Sequence, residues 1–496
     1  MRLTDLLGLA SDTVQDPEIR GLTADSRSVR PGDLFAALPG VQADGRDFIP
    51  QAVAAGASVV LAPQGTDVPP GVVLIEARNP RRRYAELAAR FFGPQPKTQI
   101  AVTGTNGKTS TVEFVRQIWQ DAGCEAASVG TLGVVSGPLS RPGGLTTPDP
   151  ARLHEMLHDL AMAGVDHVAL EASSHGLDQH RLDGVSLSAA AFTNLTRDHL
   201  DYHKTERNYL FAKARLIGEL LSPGQPAVIH LGTPAGLVME DLAWGRGLAT
   251  LTVGRDDRAD LRLVDQTASP DGQCLSVAFE GRLYQVDLPL IGTFQADNVL
   301  VAAGLAIATG TAPDAAFAAL GRLQGVPGRM QYLGSTGSGG SVFVDYAHTP
   351  DGLAAVLSAA RAHHPARLHV VFGCGGDRDP GKRSEMGAAA AGLADCVYVT
   401  DDNPRSENAA AIRDEIMAAC PDAANIGDRK AATQAAVEAL KAGDILIVAG
   451  KGHEEGQIIG DTVRPYSDIE TVACLLGMAS GPVRHGVRHG GEGNGL

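Results

Sequence analysis

One segment constrains the fold of this chain more than any other: a short apolar run, a glycine-rich turn and a helical stretch in direct succession. Residues 100–103 read Ile-Ala-Val-Thr, residues 104–107 read Gly-Thr-Asn-Gly, and residues 109–120 have the character of a helix. A strand, turn and helix in this order direct backbone N–H groups and a helix N-terminus at one point, which favours phosphate. The segment therefore predicts a phosphate-binding loop within an α/β fold.

The loop also carries side chains suited to a nucleotide. Lys108 would reach the β and γ phosphates, and the Thr109 hydroxyl would bind Mg²⁺. The usual pattern has glycine six residues before the lysine, where Val102 stands here, so this is a variant loop. A glycine turn with an incidental lysine is the alternative, which the position of Gly-Lys-Thr between a strand and a helix disfavours. The residues expected to hold ATP in this loop are Gly104, Thr105, Asn106, Gly107, Lys108, Thr109 and Ser110.

Apolar strands alternate with helical stretches along most of the chain, which indicates parallel sheets covered by helices on both faces. Residues before about 85 form a separate unit, closed by a helix around 81–91. Residues 250–290 alternate polar and apolar positions and predict an antiparallel insert. The second half of the chain has the pattern of another doubly wound domain. Beyond residues 100–103, strands are predicted at 165–171, 189–193, 342–345, 368–372, 397–400 and 445–449.

Composition excludes several classes of protein. The chain has 496 residues, enough for two to four domains, and its 42 basic against 57 acidic side chains give a net charge of −15. Because nucleic-acid binding depends on clustered basic charge, we expect no nucleic-acid partner. The six cysteines form no Cys-x-x-Cys pair, which disfavours a thiolate zinc site. Without a long apolar run or a signal peptide, we expect no membrane insertion and a cytoplasmic location.

A second group of polar residues follows the phosphate loop in sequence. Glu171 ends a predicted strand, where a carboxylate beside a phosphate loop is well placed to hold Mg²⁺. His199 and Lys213 come later, in a polar segment and on a helix. Taken alone, both have an ordinary alternative, because an isolated histidine is usually structural and a helical lysine is usually solvated.

The ordered set of motifs resembles the Mur ligase family, from about residue 22 to residue 478. In chain order the motifs are Asp25-Ser-Arg27, residues 103–109, Glu171-Ala-Ser-Ser-His-Gly176, residues 194–201, Asp345-Tyr-Ala-His-Thr-Pro350, residues 375–379, Asp402-Asn-Pro-Arg405 and Gly450-Lys-Gly-His-Glu454. The resemblance implies an α/β protein of three domains: a UDP-substrate domain (1–87), a central P-loop-type parallel-sheet ATPase domain (88–328) and a C-terminal Rossmann-like domain (329–480) that binds the amino acid. A flexible tail (481–496) would follow.

The resemblance also implies functions for residues that spacing leaves open. Lys213 matches a lysine modified to a carbamate, which would convert a cation into an oxygen ligand for Mg²⁺. Thr109, Glu171 and His199 match the other metal ligands, and Lys108 joins His199 and Lys213 as the catalytic residues. The remaining contacts to ATP match Asn298, Arg329 and Asp345.

Further positions match the path of a UDP-muramoyl peptide in that family. They are Ala24, Ser26, Val41, Gln42, Ala43, Thr146, Thr147, Ser173, Gln179 and Arg181. The chain departs from the family pattern at two places near the nucleotide, at His230-Leu-Gly-Thr-Pro234 and at Gln295.

The incoming amino acid is predicted from the segment Asp402-Asn-Pro-Arg405. Members of the family that use meso-diaminopimelate resemble this chain in having arginine there, whereas members that use L-lysine lack it. The physical reason is that diaminopimelate has a second carboxylate, which a guanidinium binds with two hydrogen bonds. A surface turn residue is the alternative for Arg405. The residues expected to bind diaminopimelate are Arg378, Asp402, Asn403, Pro404, Arg405, Gly450 and Glu454.

The resemblance thus implies an ADP-forming ligase of peptidoglycan synthesis. It would add meso-2,6-diaminopimelate to UDP-N-acetylmuramoyl-L-alanyl-D-glutamate through an acyl phosphate, with ATP and Mg²⁺, as a monomer. Another Mur ligase or a folylpolyglutamate synthase is disfavoured by Asp25-Ser-Arg27 and by Arg405. A non-catalytic nucleotide-binding module is disfavoured because four residues are all retained: Lys108, Glu171, His199 and Lys213. A kinase is disfavoured by the absence of kinase loop motifs.

Overall fold

The structure is a computed structural model that describes residues 1–9, 16–40, 43–137, 139–269 and 272–478. Val41, Gln42 and the predicted tail 481–496 lie outside the described residues. The chain divides into two compact units: unit 1 comprises residues 1–259 and 301–313, and unit 2 comprises residues 260–300 and those from 314 onward.

Unit 1 begins with a small α/β layer. Its elements are α1 (Leu3–Leu7), β1 (Gly21–Thr23), β2 (Asp33–Ala36), α2 (Ile49–Ala54), β3 (Val59–Pro63), β4 (Val73–Ala77) and α3 (Pro80–Phe92). The four strands are parallel and stand in chain order. Helix α3 starts at a proline after Asn79, whose side chain accepts a hydrogen bond from the Arg82 N–H and so caps the helix.

The larger part of unit 1 is a mostly parallel sheet with helices. Its elements are β5 (Thr98–Thr103), α4 (Lys108–Asp121), β6 (Ala126–Gly130), β7 (Gly133–Val135), α5 (Pro150–Met162), β8 (His167–Glu171), α6 (Ser174–Asp178), β9 (Ala189–Phe192), α7 (Leu200–His203), α8 (Glu206–Arg215), β10 (Pro226–His230), α9 (Pro234–Gly245) and β11 (Ala249–Gly254). The strand order is β11-β10-β9-β5-β8-β6-β7, and only β7 is antiparallel to its neighbour. A π-helical turn, Leu216–Leu220, continues α8.

Strand order positions the site in unit 1. The central strand β5 pairs with β8 in the register Val102↔Glu171, so the phosphate loop and Glu171 leave the sheet side by side. Ile100, Ala101 and Val102 are fully buried because the sheet is covered on both faces. The carboxyl ends of neighbouring parallel strands meet at one edge, which is where this fold class binds ligands.

Unit 2 contains an antiparallel meander and a second sheet, and the chain returns to unit 1 over residues 301–313. The elements from residue 261 onward are β12 (Leu261–Ser269), β13 (Gly272–Phe279), β14 (Arg282–Leu288), α10 (Gln295–Ala308), α11 (Pro313–Leu320), β15 (Gln331–Ser335), β16 (Ser341–Asp345), α12 (Pro350–Arg361), β17 (Leu368–Phe372), α13 (Lys382–Leu393), β18 (Cys396–Val399), α14 (Ala409–Met417), β19 (Ala424–Asn425), α15 (Arg429–Glu438), β20 (Ile445–Ala449), β21 (Gly456–Ile459), β22 (Thr462–Pro465) and α16 (Asp468–Leu475). The second sheet has the order β15-β16-β20-β17-β18-β19 and is parallel except for β15.

The α/β class with two parallel sheets is confirmed. The antiparallel insert is shorter than predicted, because residues 249–254 form the parallel strand β11. The hairpin of β21 and β22 was not predicted. It lies next to residues 402–405, because Arg405 forms an isolated parallel β-bridge with Ile459. In the part of the chain that the structure describes, no helix combines the length and hydropathy needed to cross a bilayer.

Candidate functional site

The phosphate loop has the conformation that its glycines require. Gly107 is the N-cap residue of α4 and has φ of 87°, a value that residues other than glycine rarely adopt. A Cβ on Gly104 would overlap the Thr193 hydroxyl, so this position also needs glycine. The Lys108 ammonium folds over the loop and donates to the carbonyl oxygens of Gly104 and Thr105, at 2.9 and 2.8 Å.

Glu171 lies against the loop, as its register predicts. The carboxylate is 2% exposed and accepts a hydrogen bond of 3.0 Å from the Thr109 hydroxyl. It also accepts from the Thr131 backbone N–H at 2.8 Å and from the Thr131 hydroxyl at 3.2 Å. A buried carboxylate beside the hydroxyl of a phosphate loop supplies the oxygen donors that Mg²⁺ prefers. Sequence analysis missed Thr131, because nothing in its local sequence distinguishes it.

Lys213 is buried among groups that disfavour its charge. Its side chain is 1% exposed, and its Nζ donates to the Gly104 carbonyl at 2.7 Å and lies 4.4 Å from the centre of the Tyr209 ring. Burial lowers the pKa of the Lys213 amine well below its ordinary value, and the charge of Lys108 lowers it further. Two lysines therefore donate to one carbonyl oxygen, an arrangement better suited to one cation and one neutral or anionic group.

His199 stands at the start of α7 with φ of 52°. Its Nε2 is 3.4 Å from the Asp198 carboxylate, and its ring meets the His175 ring edge-on at 4.8 Å. Burial lowers the pKa of His199 despite the opposing effect of Asp198, so the neutral ring that can bind a metal is favoured at neutral pH.

No three His, Cys, Asp or Glu side chains converge on a metal position within the residues that the structure describes. The ligand set expected from the sequence differs in kind, because it relies on Thr109 and on a modified Lys213. The contact between Thr109 and Glu171 brings two members of that set together, and Lys213 shares the Gly104 carbonyl with Lys108.

Four residues predicted on the muramoyl-peptide path form one hydrogen-bonded group. Thr147 accepts from the Ser173 backbone N–H at 3.0 Å and donates to the carbonyl of Glu171 at 2.8 Å. Arg181 donates to the Thr147 carbonyl at 2.7 Å and to the Gln179 side chain at 2.8 Å. Burial lowers the pKa of Arg181 while leaving it a cation. This group links Arg181 through Thr147 to the backbone carbonyl of Glu171.

The other residues predicted for the UDP-substrate lie elsewhere in unit 1 or have different partners. Thr146 contacts the Thr131 hydroxyl at 3.1 Å and so reaches the surroundings of Glu171. Ser26 contacts the Gln51 side chain at 3.3 Å, Ala24 is partly buried, and Ala43 is exposed.

The predicted nucleotide contacts in unit 2 surround Asp345. This carboxylate accepts from the backbone N–H groups of Met330 and Ala347, each at 2.7 Å. Burial raises the pKa of Asp345, which Arg329 opposes. The Arg329 guanidinium lies over the Tyr346 ring at 4.5 Å, a flat platform of the kind that a base also uses.

The two predicted departures from the family pattern have separate surroundings. The Gln295 side chain accepts a hydrogen bond of 2.9 Å from Asn298, the third predicted nucleotide residue in unit 2, and both are buried. His230 ends β10 in unit 1, and its Nδ1 accepts from the Gly232 N–H at 3.3 Å.

The segment 402–405 is fixed on both sides. Its Arg405 has φ of 51°, donates its backbone N–H to the Ile458 carbonyl at 3.1 Å, and bonds the Gly376 carbonyl through Nη1 at 2.7 Å. Gly376 in turn donates to the Asn403 carbonyl at 2.9 Å. Pro404 between them is buried, whereas Arg378 is exposed on the neighbouring loop. The guanidinium of Arg405 is thus anchored through one nitrogen.

Two buried basic side chains, Lys451 and Arg429, lie against residues of the segment 402–405 and were not predicted from the sequence. Lys451 lies within the motif Gly450-Lys-Gly-His-Glu454, is fully buried, and contacts Asn403 and Glu454. Arg429 forms two hydrogen bonds to Asp468, of 2.8 and 2.7 Å, and its Nη1 is 3.9 Å from Asp402. The motif contains Lys451 and could have revealed it, whereas Arg429 has no sequence signal.

Comparison with known proteins decides the family. Three Mur ligase family models match in order: the "Mur ligase family, catalytic domain" over 18–92, the "Mur ligase middle domain" over 102–306 and the "Mur ligase, glutamate ligase domain" over 328–452. The chain belongs to the Mur ligase family. Mur ligases are ATP-dependent, ADP-forming ligases of peptidoglycan-precursor synthesis, so the enzyme class predicted from the motifs is confirmed.

Relatives of this Mur ligase are named for the activity that the motifs predict. Proteins of Rhizobium meliloti and Caulobacter vibrioides, each 51% identical over 96% of this chain and over 100% and 99% of their own, are named UDP-N-acetylmuramoyl-L-alanyl-D-glutamate–2,6-diaminopimelate ligase. A solved structure of a protein with that name is 33% identical, covers 96% of this chain and 99% of its own, and has a TM-score of 0.71. A folylpolyglutamate synthase of Mycobacterium tuberculosis, 20% identical over 80% of this chain and 95% of its own with a TM-score of 0.64, shares the fold.

Proposed function

We propose that this Mur ligase joins meso-2,6-diaminopimelate to UDP-N-acetylmuramoyl-L-alanyl-D-glutamate at the expense of ATP. The observation that carries the choice of amino acid is the anchored Arg405. Its Nη1 is held by the Gly376 carbonyl, and its other N–H groups can pair with a carboxylate. L-lysine lacks the second carboxylate and would bring an ammonium group to a guanidinium. Arg378, Asp402, Asn403, Gly450 and Glu454 complete the proposed diaminopimelate site.

In the proposed reaction, the D-glutamyl carboxylate attacks the γ-phosphorus of ATP, and the bond to the bridging oxygen breaks to release ADP. The amine of diaminopimelate then attacks the acyl phosphate carbon, loses a proton and expels inorganic phosphate. Lys108 and the N–H groups of residues 104–110 stabilise the charge on the phosphate oxygens. Phosphorylation is needed because a bare carboxylate has no leaving group. Asn298, Arg329 and Asp345 bind the adenine and ribose side of the nucleotide in this proposal.

The residues around Glu171 fit the metal that this chemistry uses. Thr109, Glu171, His199 and a carbamate on Lys213 would hold Mg²⁺, which when bound neutralises charge on the phosphate oxygens. The neutral amine required for a carbamate is favoured because burial lowers the pKa of Lys213. The carbamate would replace a second cation beside Lys108 with an anion.

The substrate carrier is proposed to lie along unit 1. Thr146, Thr147, Ser173, Gln179 and Arg181 would contact the muramoyl peptide, with Arg181 as the buried cation for its phosphates or carboxylates. Ala24, Ser26 and residues 41–43 would hold the uridine diphosphate. We also propose the three domains 1–87, 88–328 and 329–480, a cytoplasmic location, where all six cysteines remain free, and a monomeric state.

Phosphate release from ATP with UDP-N-acetylmuramoyl-L-alanyl-D-glutamate tests the proposal, with meso-diaminopimelate or L-lysine as acceptor. We expect release that requires the UDP-linked peptide and is about 10- to 100-fold faster with diaminopimelate at low acceptor concentration, since a charge-assisted pair contributes about 1.5–3 kcal/mol. Equal rates with both acceptors would refute the proposed function of Arg405. Release without the UDP-linked peptide would refute the ligase reaction itself.

A further inference from the structure

Lys451 has a set of partners unlike that of any surface lysine. The side chain is fully buried, and its Nζ donates to the Asn403 Oδ1 at 2.9 Å, the Gly456 carbonyl at 2.7 Å and the Glu454 carboxylate at 3.2 Å. An ammonium group has three hydrogens, and these three bonds use all of them. Lys451 therefore has no hydrogen left for a substrate, and any effect on the reaction must pass through its neighbours.

The neighbour that Lys451 constrains most is Asn403. The Oδ1 of this amide accepts from the Lys451 Nζ and also from the Ile458 backbone N–H at 2.9 Å, so both of its lone pairs are used. The amide cannot turn over without directing Nδ2 at two donors. Its orientation is thus fixed, with Nδ2 on the side of Glu454, to which it donates at 3.2 Å.

A fixed amide has a definite chemical preference. Nδ2 carries two hydrogens, and the bond to Glu454 uses one of them. The other can only donate, so Asn403 suits a carboxylate and rejects an ammonium group at that position. Asn403 and Arg405 belong to the same anchored segment, and both bond to Gly376.

We propose that Lys451 is a positioning residue, which holds Asn403 with its Nδ2 directed at the second carboxylate of diaminopimelate. The proposal rests on the proposed function, because it assigns this site to diaminopimelate. Lys451 also places a buried positive charge beside Glu454, so that the acid and the amide keep one arrangement relative to each other. Specificity for the second carboxylate then has two sources, the charge of Arg405 and the locked donor of Asn403.

Lys451→Met tests the proposal, because it keeps the length of the side chain and removes all three donors. We expect the KM for diaminopimelate to rise about tenfold, with kcat and the KM for ATP within twofold of wild type, since a lost buried hydrogen bond is worth about one factor of ten. Lys430→Met, on the exposed face of α15, is the matched control and leaves all constants unchanged. A fall in kcat with an unchanged KM for diaminopimelate would overturn the proposal.

A double-mutant cycle separates positioning from general support of the fold. If Lys451 acts through Asn403, then Lys451→Met raises the KM for diaminopimelate by less than threefold when Asn403 is already alanine. Full additivity of the two substitutions would overturn the proposal. The activity of the wild-type protein with diaminopimelate is the reference, and its absence would refute the proposed function and not the arrangement around Lys451.

Asn403→Asp tests the amide orientation without removing Lys451, and so covers the case in which Lys451→Met does not fold. The aspartate keeps an oxygen for Lys451 and Ile458 but replaces the donor with a second negatively charged oxygen. If Nδ2 faces a carboxylate, the KM for diaminopimelate rises more in Asn403→Asp than in Asn403→Ala, by about tenfold. An equal or smaller rise in the aspartate variant would overturn the proposal.

Discussion

Unit 1 and unit 2 each bury one lysine beside a proposed substrate site, and the two lysines have different surroundings. Lys213 is 1% exposed and donates to a carbonyl oxygen that Lys108 also uses, next to an aromatic ring. Lys451 is fully buried and donates to a carboxylate, an amide oxygen and a carbonyl oxygen. Burial is therefore common to both, and the partners decide their chemistry.

The comparison supports the proposed reactivity of Lys213. The pKa of Lys213 falls because burial removes water and Lys108 adds a like charge. A neutral amine is a nucleophile and can take up carbon dioxide, which fits the proposed carbamate. Lys451 has a full set of three acceptors, one of them a carboxylate, which suits a side chain that orders its neighbours. Arg429 is a similar case: burial alone would lower its pKa, but its pair with Asp468 raises it.

The largest effect on activity is expected from replacing Lys213, the buried lysine of unit 1. Lys213→Ala should lower kcat about 1,000-fold, because it removes a proposed metal ligand from the site where charge would develop in the reaction. Acetate or formate should restore part of the rate by supplying a carboxylate in the space left. The measurement is phosphate release, with the exposed Lys97→Ala as the matched control. Unchanged activity in Lys213→Ala would refute the proposed function of a carbamate on Lys213.

The paired charges of unit 2 should give the next largest effect, on stability and not on chemistry. Asp468→Ala removes the carboxylate that accepts two hydrogen bonds from the buried Arg429, and removing one partner of a buried ion pair costs about 3–5 kcal/mol. We expect the unfolding of unit 2 to shift to lower urea concentration. Glu470→Ala, an exposed acid on the same helix, should leave it in place. Equal urea midpoints for the two variants would show that the Arg429–Asp468 pair does not stabilise unit 2.

Arg405→Ala should give a smaller effect, which is confined to the binding of diaminopimelate. Removing the guanidinium should raise the KM for diaminopimelate about 100-fold, equivalent to about 2.7 kcal/mol, and leave the KM for ATP unchanged. Arg367→Ala, an exposed arginine of unit 2, is the control. Steady-state kinetics with each substrate varied in turn will test this, and an equal rise in both KM values would mean that Arg405 supports the fold instead.

The smallest expected effect is a change in the occupancy of the carbamate with pH. The pKa of Lys213 is lowered, so its neutral amine is more populated near neutral pH than that of an ordinary lysine, and acidification removes it by protonation. Protein equilibrated with ¹³C-bicarbonate should show a carbamate signal that declines as the pH falls. The signal should be absent from Lys213→Ala and present in Lys451→Met. A signal that disappears in Lys451→Met would show that the comparison assigns the two lysines wrongly.

Much of the fold could be predicted from the sequence, because short-range signals determine it. The phosphate loop, the strand that precedes it and the helix α4 follow from glycine positions and apolar periodicity over some twenty residues. The parallel strands β5, β8, β9, β16, β17, β18 and β20 were predicted for the same reason, whereas β6, β11 and β19 were not. The hairpin of β21 and β22 was missed because its residues are partly or fully exposed and lack a regular apolar pattern.

The site was predicted less completely, and the misses have one cause. Glu171 and Arg405 belong to motifs and Lys213 matches a family position, whereas Thr131 and Arg429 have partners far away in the chain. The hydrogen-bonded residues Thr131 and Glu171 are 40 positions apart in the sequence, and Arg429 and Asp468 are 39 positions apart. Sequence periodicity contains no information on such pairs. Lys451 is an intermediate case, because its motif is visible but its function depends on burial.

The sequence by itself determined the α/β class, the phosphate loop, the enzyme family and the motif that contains Arg405. These properties depend on residue type and on spacing along the chain, both of which are printed in the sequence. Only the tertiary structure decided which side chains became partners. The Gly104 carbonyl accepts from Lys108, four residues on, and from Lys213, 109 residues on. Sheet order and burial bring these groups together, and they give Lys213 and Lys451 the different partners on which the two proposals rest.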